Sequence, residues 1–405
     1  MAGARNRKIR IALIAGEASG DLLGAHLLKA LGASLGEFES YGVGGPRMQS
    51  EGMQSWYPME WLAVRGYVEV VKSLPRLLRV RREIKRRLLD DPPDLFIGID
   101  APDFNLRLER ALRARGIQTV HYVSPSIWAW RGERIHQIKR SASKVLALFP
   151  FEKPLYERAG VPVTYVGHPL ADEIPETPDR AAAREQMRLS PRRTVVALLP
   201  GSRQNEVRQM GELFVATAKK LSEQISDIQF LVPLVSRETR IIFEEAIYRQ
   251  QGEQLPITVL FGHAQVAMTA ADVVLAASGT VTLEAALLKR PMVISYRVTR
   301  LSAWIMRRKG YLPYVGLPNI LAGEFIVPEF LQEEATPDNL AQALGNLILD
   351  KNVRARLEEK FLAIHQTLRQ GTAARAVEAI LPVLGPRAEA PAPVISRSEG
   401  MRLGA

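Results

Sequence analysis

The chain has 405 residues, 47% hydrophobic and 24% charged, with a mean hydropathy of −0.05, which excludes a disordered or fibrous chain and suits two or three core-bearing domains. Lys and Arg number 54 against 43 Asp and Glu, a net charge of +11 that points to a phosphorylated ligand, an acidic membrane surface or nucleic acid. The absence of cysteine excludes disulfides, thiolate metal sites and cysteine nucleophiles, and no uncharged run approaches the roughly 18 apolar residues of a spanning helix.

The first apolar run, residues 9–15, reads as a buried strand preceded by basic residues. Its apolar part is too short for a secretory signal, so the expected location is cytoplasmic. A turn, Gly16-Glu17-Ala18-Ser19-Gly20-Asp21, leads into a helix through about Leu31. Further strands are expected at 95–99, 119–123, 145–149 and 164–166, then a polar, proline-bearing stretch at 172–191. The pattern restarts with a strand at 194–199, a helix at 206–222, and strands at 229–235, 257–261, 273–276 and 292–296. Residues 339–381 read as helices, and the tail from Gly385, rich in Pro, Ala and Arg without periodicity, as disordered. The expected fold is α/β, with two similar domains of parallel sheet separated by a cleft: residues 1–185, residues 186–385, and a tail at 386–405.

Ligands of open parallel sheets bind beyond the carboxyl ends of strands, which singles out four turns. Gly16 to Asp21 offers amides at a helix start, suited to an anion or a sugar hydroxyl; a plain tight turn with Asp21 near the helix N-terminus is the alternative. Asp100 ends the strand 95–99, where desolvation would raise its pKa toward that of a general base. Asp103 follows it, as a substrate contact or a helix cap. Two aspartates without a third ligand make a poor metal site, and no metal is expected. In Pro200-Gly201-Ser202-Arg203, glycine admits a ligand to the backbone and the guanidinium suits phosphate. In the turn Ser278-Gly279-Thr280, free amides at a helix start suit a diphosphate, and Glu284, one turn on, suits the two hydroxyls of a ribose or a capping box.

Trp128 and Trp130 suit sugar stacking or ordinary packing. His121, His168 and His263 share no metal-ligand spacing and read as structural. Between residues 72 and 87 lie eight cations, Lys72, Arg76, Arg79, Arg81, Arg82, Lys85, Arg86 and Arg87, against Glu83. Val70, Val71, Leu74, Leu77, Leu78, Ile84 and Leu88 recur among them at helical spacing. An apolar face with a cationic rim suits an interfacial helix on anionic lipid; a crossover helix with a solvated face has the same pattern. A second basic cluster, Arg297, Arg300, Arg307, Arg308 and Lys309, surrounds Trp304. No nucleic-acid reader motif is present, and the aromatics do not interleave with the cations as stacking platforms.

These motifs together resemble the lipid-A-disaccharide synthase family: GEASGD from Gly16, GIDAPDFN from Gly98, HYVSPSIWAWR from His121, PFEK from Pro150, VGHP from Val166, PGSR from Pro200, SGTVTLE from Ser278 and LPNILAG from Leu317. The resemblance spans residues 9–381. It implies a GT-B fold, two Rossmann-like halves facing a cleft with the last helix returning to the first domain. It also implies inverting transfer of 2,3-diacylglucosamine from UDP to the 6-hydroxyl of 2,3-diacylglucosamine 1-phosphate (lipid X), without a cofactor, by a peripheral protein of the cytoplasmic face of the inner membrane. In that reading Asp100 is the base, Arg203 and residues 278–280 stabilise the leaving UDP, Glu284 holds the ribose, Asn319 is needed for activity, and Glu17, Ser19 and Asp21 border the acceptor. Ser202 and Asp103 join the substrate contacts, Val70, Val71, Leu74, Leu77, Leu78, Arg76, Arg79 and Arg82 the membrane face, and a homodimer through the C-terminal region is a further expectation. The competing readings are an enzyme like UDP-GlcNAc 2-epimerase, acting on a soluble sugar nucleotide, and a basic nucleic-acid-binding protein.

Overall fold

The structure, a computed structural model, describes residues 7–62, 67–128, 132–297 and 313–385, with backbone alone for 67–73. Apolar runs without polar alternation become strands buried on both faces, as expected of parallel sheets covered by helices. The strands of the first half are β1 (Ile9–Ala15), β2 (Phe38–Val43), β3 (Gln54–Ser55), β4 (Leu95–Ile99), β5 (Gln118–Tyr122), β6 (Lys144–Ala147) and β7 (Val163–Tyr165), in the order β3-β2-β1-β4-β5-β6-β7. The second sheet holds β8 (Thr194–Leu199), β9 (Ile228–Leu234), β10 (Ile257–Phe261), β11 (Val273–Ala276), β12 (Met292–Tyr296) and β13 (Glu329–Leu331), in the order β10-β9-β8-β11-β12-β13. Neighbouring strands are parallel in both. The chain winds outward in one direction from β1, then returns to lay β4 on its other side; β8 and β11 repeat this. The two switch points, β1/β4 and β8/β11, are where such sheets open a crevice for ligands.

The expected strands recur with small shifts that have local causes. β5 stops at Tyr122 because Val123 turns to φ 78°, and β6 stops at Ala147 ahead of the 3₁₀ turn Pro150–Glu152. The first helix starts inside the expected turn, at Ala18, and runs to Leu35, ended by Gly36 at φ 71°. The polar stretch 172–191 contains the helix Arg180–Gln186, tied by Arg180 and Arg184 to Asp272 at the foot of β11. Ala171, Ile174 and Ala183 join the second hydrophobic core, so the chain has passed to the second half well before residue 185.

The last helix, Thr372–Leu384, returns: Ala376, Val377, Ala379 and Ile380 pack with Leu23 and Leu27 of the helix Ala18–Leu35 in the first core. The two chain crossings between halves are bonded together. Asp172 accepts the amides of Gly371 (2.9 Å) and Thr372 (2.7 Å). His365 Nε2 donates to the Ala171 carbonyl (2.8 Å) while the buried Lys289 ammonium donates to His365 Nδ1.

The basic segment is one long helix, Tyr67–Asp90. Its C-terminal half is an ordinary crossover helix, with Val80, Ile84 and Leu88 buried against the first sheet. Its N-terminal half differs: Leu74 and Leu78 are 46% and 37% exposed, and the Arg76 guanidinium sits 5.8 Å over the exposed Trp61 ring. The single apolar face expected from spacing is therefore divided between core and surface. The side chains of Val70 and Val71, the cluster from Arg300 to Lys309, Trp130 and the tail 386–405 lie outside the described residues. No described helix is long and apolar enough to cross a membrane.

Candidate active site

At the first switch point, β1 and β4 lie side by side with Ala15 opposite Ile99, which puts Gly16-Glu17 next to Asp100-Ala101. A Cβ at Gly16 would stand 3.2 Å from Ala101 Cβ, a close approach that glycine relieves. Asp100 and Ala101 both adopt the left-handed conformation, φ 50° and 44°, a rare and costly state for two successive non-glycine residues. Burial pushes the Asp100 pKa up, an amide hydrogen bond from Ala101 pulls it down, nearby Glu17 raises it and His121 lowers it. Ser19 is exposed at the same mouth.

Two further carboxylates of this region have protein partners. Asp21, expected to border a substrate, is buried and accepts the amides of Arg47 (3.1 Å) and Met48 (3.0 Å). It ties down the first turn of the short helix Pro46–Ser50. Asp103 neither caps its helix nor points into a closed site; it is exposed and ion-paired with Arg134 at 2.6 Å.

At the second switch point, β8 and β11 pair with Leu199 opposite Ala276. Gly201 takes φ 125°, and a Cβ there would meet the Glu206 side chain at 2.4 Å. Glu206, which the sequence reading missed, organises this loop: Oε2 accepts the amides of Ser202 (3.0 Å) and Arg203 (3.1 Å), and Oε1 pairs with the Arg203 guanidinium at 2.9 Å. The Ser202 amide is thus occupied, leaving its exposed side chain as the available contact. Arg203 remains 62% exposed and able to turn toward a ligand. The capping-box pattern around Glu206, three residues beyond Arg203, was the available signal. Tyr296, at the end of β12, belongs to the same group: burial raises its pKa, Glu206 adds to the rise and Arg203 opposes it.

The turn after β11 delivers Ser278, Gly279 and Thr280 to the N-terminus of the helix Thr280–Leu287. Gly279, at φ 137°, is the cap residue and no side chain occupies the cap, so the first helical amides point outward with the positive end of the helix dipole. Glu284 lies too deep in that helix for a capping box, and burial alone raises its pKa. A desolvated carboxylate one turn beyond an anion-binding helix end is arranged to receive hydroxyl donors.

Asn319, expected at the chemistry, is fully buried with its amide spent. Nδ2 donates to Val327 O (2.9 Å) and Glu329 Oε1 (2.7 Å), and Oδ1 accepts the amides of Ile326 (2.8 Å) and Val327 (2.9 Å). It shapes the loop into β13. Trp128 belongs to an aromatic cluster, edge-on to Phe151 at 5.3 Å, with Phe151 stacked on Phe149 at 5.5 Å and Phe149 on His168 at 5.6 Å. His168 is structural, its pKa lowered to about 4 by burial. Beneath the cluster lies Glu152, whose burial raises its pKa to about 7 against hydrogen bonds from the Phe149 amide, Ser124 and Trp128.

A sequence profile of the lipid-A-disaccharide synthetase family matches residues 11–380. The chain is 56% identical over 375 residues to a lipid-A-disaccharide synthase of Azoarcus sp. strain BH72, covering 93% of this chain and 96% of that one. It is 55% identical over 379 residues to one of Chromobacterium violaceum, covering 94% and 98%. Among solved structures, UDP-GlcNAc 2-epimerase from Neisseria meningitidis bound to UDP-GlcNAc superposes with a TM-score of 0.63 at 12% identity, covering 93% and 100%. The calicheamicin glycosyltransferase CalG4 superposes at 0.59 and 16%, covering 94% and 100%. At such identities these two show the fold alone: paired Rossmann-like halves of GT-B type.

Proposed function

The chain belongs to the lipid-A-disaccharide synthase family and is a glycosyltransferase of lipid A disaccharide formation, and from that premise we propose that it condenses UDP-2,3-diacylglucosamine with 2,3-diacylglucosamine 1-phosphate. The observation that carries the site assignment is the pairing of switch points: a half-buried aspartate on a strained turn in one sheet, and an uncapped helix N-terminus with a half-buried glutamate in the other. The Asp100 carboxylate takes the proton of the acceptor 6-hydroxyl as its oxygen attacks the anomeric carbon. The bond from that carbon to the diphosphate oxygen breaks, its electron pair leaves with UDP, and the new linkage is β-1,6. Desolvation of Asp100 makes it the stronger base that this transfer needs. Charge developing on the diphosphate meets the amides of residues 278–280 and the Arg203 guanidinium, released from Glu206. Glu284 accepts the ribose hydroxyls; Glu17, Ser19 and the exposed Asp103 line the acceptor approach.

The reading assigns the phosphate charge to fixed dipoles and an arginine, so turnover in EDTA should match turnover without it. The deciding experiment assays the purified chain with the two diacylglucosamine substrates, alongside Asp100→Asn. That variant should bind UDP normally and lose roughly 10²–10⁴ of kcat, the usual span for a general base; near-normal turnover removes Asp100 from the role.

The second part of the proposal is peripheral attachment to the anionic cytoplasmic face of the inner membrane. Leu74, Leu78 and Trp61 are exposed apolar groups on one side of the basic helix, flanked by Arg76, Arg79 and Arg82. Leu77 is half-buried beside them. Both substrates carry acyl chains, so docking there would bring them to the sheet mouths. A homodimer through the C-terminal half completes the reading, with exposed Ile241, Tyr248 and Phe261 as apolar surface; sedimentation equilibrium tests it, and a monomer across the micromolar range rejects it.

A further inference from the structure

Behind Asp100 lies a buried polar column that the proposed chemistry does not use. Gly98 of β4 lies beside His121 of β5. A Cβ built at residue 98 would meet Glu109 Oε1 at 2.2 Å, so only glycine lets the Glu109 carboxylate, reaching in from the helix Pro102–Arg113, lie against the strand. Glu109 and His121 are both fully buried and joined Oε1 to Nδ1 at 2.7 Å. One turn earlier on the same helix, the equally buried Asn105 sends Nδ2 to the Asp100 carbonyl at 2.8 Å and shares it with Ile14 O and Ile99 O at 3.3 and 3.4 Å. A buried acid–imidazole pair is expensive to desolvate and seldom stabilises a fold by itself, and here Glu109 Oε2 and His121 Nε2 have no partner among the described residues.

We propose that Asn105, Glu109 and His121 are positioning residues for Asp100: Asn105 pins the left-handed turn that presents the carboxylate, and Glu109 holds the His121 imidazole behind it as an electrostatic counterweight. The inference rests on Asp100 being the base. Among the described residues, the titratable groups that act on Asp100 are Glu17 from the loop after β1 and His121 from β5. Burial is the main influence raising the Asp100 pKa, Glu17 adds to it, and His121 opposes both. Without His121 the carboxylate is protonated over a wider acid range.

The test compares full-length His121→Asn, Glu109→Gln, Asn105→Ala and Asp100→Asn with the parent for kcat, KM, the pH profile of kcat, UDP affinity and thermal midpoint. His121→Asn is expected to lower kcat at least tenfold, leave KM within twofold and move the acid limb to higher pH. Asn105→Ala is expected to lower kcat similarly with KM unchanged. A His121→Asn enzyme that has lost only thermal stability, with the acid limb and kcat in place, overturns the proposal. If that variant does not fold, Glu109→Gln, which keeps the shape and removes the charge, decides: a tenfold loss of kcat at unchanged KM supports the role and parental kcat overturns it. Asp100→Asn separates the two failures. Near-normal turnover in it sinks the base assignment, whereas an inactive Asp100→Asn beside fully active column variants sinks the positioning role alone.

Discussion

Replacing Asn319 by alanine separates a substrate contact from a structural support. The side chain makes four hydrogen bonds from a fully buried position, to Val327 O, Glu329 Oε1, Ile326 N and Val327 N. At a net worth of about 1 kcal/mol each, with two buried amides and a carboxylate left short of partners, the loss amounts to about 4 kcal/mol. Glu329 would feel it too, since its carboxylate also anchors the amides of Val315 (2.8 Å) and Gly316 (2.9 Å). For a cooperative unit of this size each kcal/mol shifts the midpoint by roughly 2–4 °C, so scanning calorimetry should show a fall of about 10 °C. Turnover should fall with it, and saturating UDP should restore part of both. An Asn319→Ala enzyme that melts with the parent yet has no turnover would refute this reasoning, because the amide would then have to act on the reactants.

Glu152, with its pKa raised to about 7 from 4.5, binds a proton more tightly folded than unfolded, so its contribution to stability is lost as pH rises across that window. The difference is about 3 kcal/mol; Glu152→Gln should flatten the fall in melting temperature between pH 5 and 8, and an unchanged slope would place the proton elsewhere. Changing Arg76, Arg79 and Arg82 together to glutamine should weaken sedimentation with anionic vesicles by about 100-fold at low salt, at about 1 kcal/mol per cation. The difference should vanish at high salt, and equal binding at low salt would reject the interfacial helix. Glu284→Gln should weaken UDP binding about 10-fold or more by calorimetry, the usual worth of a hydrogen bond to a charged group; an unchanged Kd would take the ribose away from Glu284.

Sequence and structure agree best where the chemistry is local. Ile9–Ala15, Leu95–Ile99, Thr194–Leu199, Ile257–Phe261 and Met292–Tyr296 are the expected strands residue for residue, because an unbroken apolar run bounded by turn residues has few other solutions in a parallel sheet. The strands that were not expected are the marginal ones. Phe38–Val43 interleaves Glu39 and Ser40 with its apolar residues, Gln54–Ser55 is two residues long, and Glu329–Leu331 is a half-buried edge of three. Their pairing comes from neighbours that periodicity does not register.

Among the candidate site residues, the turns at Gly201, Gly279 and Asp100 were legible because a strand end followed by a small or acidic residue already implies a turn at the sheet mouth. Asp21 and Asn319 carried the same kind of signal but went to backbone amides, and Glu206 was passed over though it holds the Arg203 loop. A polar side chain in a motif has several hydrogen-bond partners within reach of its type, and only the packed chain selects one. The basic helix shows the same division. Its amphipathic spacing is plain in one dimension, but the core took Val80, Ile84 and Leu88 and left Leu74 and Leu78 to the surface.

By itself, then, the amino-acid order determined the fold class, the halves, the family and the turns that could bear a site, since each depends on contacts a few residues apart or on motifs read in line. Tertiary structure decided which of those turns meet: the strand orders that set β1 against β4 and β8 against β11 bring residues 17 and 100, and 203 and 278, to common mouths. It also stacked Asn105, Glu109 and His121 behind Asp100. The physical reason is that strand order and burial are settled by the free energy of the whole packed sheet, to which no single segment holds the key.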